Sequence, residues 1–251
     1  MEVHHHPHVE KKRFKEYFFE FLMIFLAVSL GFFAESFREH LVNKEHEKQY
    51  ITSFYSDLHD DQKGLPKLIN NIQDQQLIPA KSLPALFSKT TTSTPADSIY
   101  FFLRKFMRQQ GIKSYITNRT IEQIENAGEM RLISEKKIAD SLVDYYKAIG
   151  FIDYLQQTLL GYKAKLLDNF PLIFKSGDYV KAIDTVYEQA VVPAEHLYLS
   201  SAKKQDIDRI LIQVEEIRAL SNTIKKLIEQ LLNKNEELQI LIESRYHLKN
   251  E

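Results

Sequence analysis

Residues 17–34 read YFFEFLMIFLAVSLGFFA, and the fold of the chain turns on how that stretch is taken. Its one charged residue is Glu20; from Phe21 to Ala34 there is none. An α-helix needs roughly 20 apolar residues to cross the hydrocarbon layer of a bilayer, with about 17 as the lower bound. The stretch meets that bound when Glu20 snorkels to the interface, beside the basic residues that precede it. Phe18, Phe19, Phe32 and Phe33 stand near its two ends, and Tyr17 adds an interfacial anchor. A cleaved signal peptide calls for small residues followed by a break in the helix. Here Ser29, Gly31 and Ala34 run directly into the helix formers Glu35, Arg38 and Glu39. The expectation is a retained membrane helix, and since no second apolar run reaches spanning length, a single crossing.

On the N-terminal side, residues 1–16 form a short basic, histidine-rich segment in which Lys11, Lys12, Arg13 and Lys15 crowd together. On the other side Arg38, Lys44 and Lys48 are spread more thinly. Because Lys and Arg near the ends of a span favour the cytoplasm, this bias predicts a cytoplasmic N-terminus, with the bulk of the chain outside. In a Gram-negative cell that places the span in the inner membrane and the remainder in the periplasm. Neutral imidazoles bind transition metals, so His4, His5, His6 and His8 are candidate ligands; the alternative is a terminus with no ligand role. Within the span, Ala27, Gly31 and Ala34 bring small residues to one region of the helix, a feature that lets membrane helices approach closely.

Composition narrows the rest. Hydrophobic residues make up 44% of the 251, enough for a packed core, while seven glycines and seven prolines are few for a sheet-rich protein. The formal net charge of -1 offers no basic footprint for a phosphate backbone, so no nucleic-acid partner is expected. The absence of cysteine excludes disulfides, zinc–thiolate sites and thiol nucleophiles.

Outward from the span, Gly31 is the only helix breaker before Gly64, which predicts that the membrane helix runs on as a juxtamembrane stalk over 35–75. Its distal half carries Ile51, Tyr55, Leu58, Leu65, Ile69 and Ile72 on one face, and its proximal half does not. Gly64 and Pro66 are places to kink or divide it. Residues 76–97, with Pro79, Pro84, Pro95 and the TTTSTP tract, read as a loop. Residues 98–251 read as a helical bundle. Its first helix begins after Asp97, with Tyr100, Phe101, Phe102 and Phe106 as core rather than as a ligand cage. A short helix follows, with a Thr120–Gln123 capping box and Gly128 at its C-terminal end. A longer helix then starts at a Ser134 cap and carries Ile138, Leu142, Tyr145, Ile149, Ile152, Leu155, Leu159, Tyr162 and Leu166. Its Gly150 and Gly161 suit places where a neighbouring helix comes close. A shorter helix is expected near 178–189.

Beyond Pro193 neither glycine nor proline occurs, and Ile207, Ile210, Val214, Ile217, Ile224, Ile228, Leu231, Leu238 and Ile242 recur at three- and four-residue steps. Ser221 and Asn235 interrupt this coiled-coil-like seam, which suits packing within the bundle or against a second copy. The fold class expected is therefore all-α: a transmembrane helix continuing into an elongated bundle with a long C-terminal helix.

The stretch FAESFREHLVNKEHEKQYITSFYSDLHDD, with TIEQIENAGEMRLISEKKIADSLVDYY, resembles an uncharacterised family of single-span membrane proteins from Bacteroidota. The two blocks lie near 34–62 and 120–146, and the HHHPHVEKKRFKEYFFEFLMIFLAV opening departs from the usual family start. The resemblance implies a helical extracytoplasmic domain, and brings neither activity nor ligand.

No phosphate-binding glycine loop, serine elbow or HExxH pattern is present, so no catalytic residue and no cofactor is assigned. Asp57, His59, Asp60 and Asp61 form the densest polar group. Asp57 and Asp61 stand one turn apart and suit a cation, yet further oxygen ligands are lacking, which favours a solvated helix face. The function that best fits is a membrane-anchored interaction or scaffold protein, docking other membrane or periplasmic proteins or forming a homo-oligomer. The alternatives are a sensory bundle signalling through the span and an accessory subunit of a pore or transporter.

Overall fold

The structure is a computed structural model that describes residues 14–108, 111–184 and 189–248. It is all-helical apart from one two-stranded ladder of four residues. The chain divides into two units, residues 1–49 and residues 50–251. Helix α1, Phe14–Ile72, contributes to both.

In the first unit the described residues are helical throughout, and almost every side chain faces outward. The helix passes through Gly31 without a break, as the sequence predicts.

In the second unit, α1 turns Ile51, Phe54, Tyr55, Leu58, Leu65, Leu68 and Ile72 into the core, a face built at three- and four-residue steps. It continues through Gly64 and Pro66 without dividing. Proline removes one backbone bond from the helix, and burial of Leu65 and Leu68 on either side holds the turn in place. Gly64 serves another purpose: a Cβ built there would lie 2.0 Å from the Tyr115 carbonyl oxygen, so this glycine lets the backbone of another segment press against α1.

A π-helical turn, Gln73–Leu77, joins α1 to α2, Ile78–Phe87. The loop expected over 76–97 is therefore confined to residues 88–96. Pro79 stands in the first turn of α2, where its missing N–H is no loss, and Ala80, Leu83 and Phe87 form a buried stripe. Helix α3, Asp97–Met107, buries Ile99, Tyr100, Leu103 and Phe106, which bears out the core reading for Tyr100 and Phe106, while Phe101 and Phe102 are half-buried. Helix α4, Arg119–Ala127, ends on Gly128 at φ +67°, the left-handed cap expected. Its start differs from the expected capping box: Asn118 stands at the cap without a side-chain bond. Helix α5, Lys136–Asp168, starts after Glu135 rather than on a Ser134 cap.

The helix expected near 178–189 is a single turn and a half, α6 at Ser176–Val180. Beyond it, β1 (Ile183–Asp184) pairs antiparallel with β2 (Gln189–Ala190), Ile183 opposite Ala190. β-Branched Ile183 disfavours helix and suits extended backbone, and residues 185–188 of the expected helix lie outside the described residues. Helix α7, Lys204–Tyr246, closes the core along α5.

Candidate functional site

Residues 17–34 are exposed apart from the half-buried Leu22 and Ser29. No residue of its most apolar 18-residue window is buried, and the helix is long and apolar enough to cross a membrane. Ala27, Gly31 and Ala34 are exposed, with open space around Gly31. Phe21 and Phe25, one turn apart, stack at 6.2 Å, and Phe18 meets Phe19 edge-on at 6.1 Å. Just past the span Arg38 forms a two-bond ion pair with Glu35, its Nε donating at 3.0 Å. The candidate ligands His4, His5, His6 and His8 lie outside the described residues. Among the described residues no group of three or more His, Asp or Glu side chains is arranged to hold a metal ion.

The second polar centre corrects the sequence reading. Asp57 and Asp61 are wholly buried, while His59 and Asp60, their neighbours, are exposed. A helical wheel explains it: Asp57 and Asp61 point the same way as Phe54, Leu65 and Leu68, so the solvated-face reading fails on phase. Each carboxylate fastens another element. Asp57 accepts the Thr120 N–H at 3.1 Å and an Arg119 guanidinium N–H at 3.2 Å, which supplies from α1 the cap that α4 lacks in its own sequence. Asp61 accepts the Thr117 N–H at 2.6 Å and the Tyr145 hydroxyl at 2.8 Å. With each oxygen already holding a protein donor, the pair acts as a clasp between α1, the 117–120 segment and α5, rather than as a cation site.

That clasp extends to α7. The Asn235 amide donates to the Leu58 carbonyl at 3.0 Å and to the Tyr145 hydroxyl at 3.1 Å, and the Gln239 amide donates to the Asn235 side-chain oxygen. Burial pushes the Asp61 carboxyl up to about 6, opposed by the bonds from Tyr145 and Thr117. It also pushes the Tyr145 phenol up, so Tyr145 stays protonated and donating.

A third centre was missed. Along α5 the sequence phase places Leu155 and Tyr162 in the core; the structure buries Gln156 and Lys163 there, leaving Leu155 half-buried and Tyr162 exposed. The exchange has a polar cause. The Gln156 side-chain oxygen accepts the Ile112 N–H at 2.7 Å, and the Lys163 ammonium donates to the Arg108 carbonyl at 2.7 Å. Between them they satisfy backbone groups at the end of α3 and the start of the next turn. Lys163 lies 5.7 Å from the Phe106 ring centroid, and burial pulls its amine down to about 7.

The seam on α7 is also spoken for. Ile210, Val214, Ile217, Ile224, Ile228, Leu231, Leu238 and Ile242 are buried within this chain, and Ile207 is half-buried. Ser221 and Asn235, the polar members, bond to Gln76 of the π-turn and to Leu58 of α1 respectively. The seam therefore fixes internal register and is not available to a second copy. Gly150 and Gly161, expected where another helix comes close, have nothing within 4 Å of where a Cβ would stand. Both lie on the outer side of α5.

The chain thus presents an uncovered apolar helix, a closed polar clasp and an open face on α5, and no protein-family model, curated protein or solved structure matches it.

Proposed function

We propose that this chain is a membrane-anchored helical interaction protein: residues 17–34 span the inner membrane, residues 1–16 lie in the cytoplasm, and the second unit stands in the periplasm as a non-catalytic docking scaffold. The observation that carries this reading is the contrast in burial. Among the described residues none of the most apolar window of the N-terminal helix is buried, whereas the second unit closes its own core. A soluble protein does not leave that much contiguous apolar surface in water. The lysine and arginine bias around the span supports the orientation, and the resemblance to single-span Bacteroidota proteins supports the location. The internal carboxylates, Asn235 and Lys163 are engaged in fastening helices, which leaves surface contact as the role the second unit suits best.

Alkaline carbonate extraction and flotation of native membranes test the anchor, and protease accessibility from each side tests the orientation. The reading requires the chain to stay with the lipid, and the second unit to be digested only from the non-cytoplasmic side. Release into the carbonate supernatant, or digestion from the cytoplasmic side, overturns it.

A further inference from the structure

We infer that the cleft between the end of α1 and the C-terminal half of α3 binds a small acidic amino acid, its two carboxylates meeting Lys105 and Arg108 and its ammonium meeting Asp74. The cleft lies wholly within the second unit, so this binding is separate from the docking role and independent of the anchor. Its volume is about 370 Å³, at the small end for a ligand site. Phe101, Lys105 and Arg108 line one wall at positions i, i+4 and i+7, a single stripe of α3 and its C-terminal cap. Asn71, Asp74 and Gln75 line the other, where α1 passes into its π-helical turn. Turns of this kind are rare and concentrate at functional sites. Within it, Gln76 is spent on Ser221 in the core, whereas Asp74 and Gln75 are left to the cleft.

The charges here go unanswered by the chain. Of the three cations on this part of α3, Arg104 lies over the Tyr179 ring, 4.5 Å from its centroid. Lys105 and Arg108 are half-buried, and among the described residues neither they nor Asp74 has an ion-pair partner. Basic residues at the end of a helix offset its dipole, but that accounts for neither the cavity nor the carboxylate on its other wall. Two cations held half-buried in one cleft repel each other, and an anion between them relieves the repulsion. Asp74 repels a guest that is anionic throughout, so the guest needs a cation of its own. The complement of two positive groups and one negative is two negative groups and one positive, which is the charge set of aspartate or glutamate near neutral pH. Gln75 makes only one long bond, 3.5 Å from its amide to the Asn71 side-chain oxygen, and keeps further donor and acceptor capacity for a ligand. Phe101 is half-buried, edge-on to Phe102 at 5.4 Å, and offers an apolar surface to the methylene carbons.

Isothermal titration calorimetry on the full-length chain in detergent tests this with L-glutamate, L-aspartate, glutarate, L-glutamine and inorganic phosphate. The expected result is saturable binding of one acidic amino acid per chain at millimolar concentration or below. Glutarate, which lacks the ammonium, and L-glutamine, which lacks the second carboxylate, should bind about tenfold more weakly or worse. Lys105→Gln and Arg108→Gln should each weaken the acidic amino acid to a similar degree, with helical circular dichroism unchanged. Asp74→Asn should weaken L-glutamate and strengthen glutarate, a change of sign that loss of folding does not produce. Four results overturn the inference: no saturable heat with either acidic amino acid, phosphate binding as tightly as they do, binding unmoved by the Lys105 and Arg108 substitutions, or the parent's preference retained in Asp74→Asn.

Discussion

Lys163→Met removes an ammonium that is buried without a carboxylate partner among the described residues, and it keeps the length of the aliphatic stem. The folded-state amine titrates at about 7 against an ordinary 10.5. Between those values the unfolded chain holds a proton that the folded chain has lost, so stability rises with pH across the window. The penalty is complete below about pH 7 and gone above about pH 10.5. At about 1.4 kcal/mol per unit, a span of that width corresponds to roughly 5 kcal/mol. Methionine also loses the bond to the Arg108 carbonyl, and leaving that acceptor unpaired costs about 1–3 kcal/mol. Lys163→Met should therefore be more stable than the parent by about 2–4 kcal/mol near neutral pH. The gain should shrink by about 1.4 kcal/mol for each pH unit above that, and turn to a loss at high pH. Urea unfolding of the full chain in detergent, followed by circular dichroism at a series of pH values, reads this directly. The same pH slope in both chains above neutrality, or a variant less stable than the parent in mild acid, would refute the reasoning.

Other features make separate demands. Asp61→Asn should flatten the acid limb of stability. The raised carboxyl makes the parent gain stability as pH falls from about 6 towards 3.8, and the amide cannot take up that proton, so urea midpoints of the variant should stay level there. Asn235→Leu removes the amide donors to the Leu58 carbonyl and the Tyr145 hydroxyl; the Leu58 carbonyl keeps its partner within α1 and the Gln239 amide at 3.5 Å, so stability should fall by about 1–2 kcal/mol in the same assay. Gly64→Ala forces a methyl against the Tyr115 carbonyl and should cost about 3 kcal/mol or more, whereas Gly150→Ala, in open space, should stabilise α5 by a few tenths to about 1 kcal/mol. Leu26→Arg, near the middle of the span, adds about 2.5–3.5 kcal/mol to insertion, and should shift a measurable share of the chain to the carbonate-soluble fraction.

Periodicity made the helices legible. The long C-terminal seam, the buried face of α1 and the left-handed cap at Gly128 all follow from spacing and residue type, and they stand as read. What spacing could not settle was phase where polar residues enter the core. Gln156 and Lys163 displace Leu155 and Tyr162 because carbonyl and N–H groups from a sequence-distant turn need partners, a demand invisible along the helix itself. Asp57 and Asp61 were legible in principle, since they share the face of Phe54, Leu65 and Leu68; their charge argued for solvent and outweighed the wheel. Prolines misled over 76–97 because Pro79 begins a helix as readily as it ends one.

The segment from Ile112 to Thr120 has little regular structure, yet it is held at Gly64, Asp61 and Asp57, and by Asn71, which donates to the Tyr115 hydroxyl. Four positions spread over some four turns of one helix grip it in order, the last two both on Tyr115, like teeth meeting a rack. A deletion of one residue here would slide every tooth out of mesh at once. The same deletion in the threonine tract at 90–94 would break only local turn bonds. Length variation among related chains should therefore gather in the threonine tract and spare the irregular stretch that looks, by its lack of helix, equally free to vary.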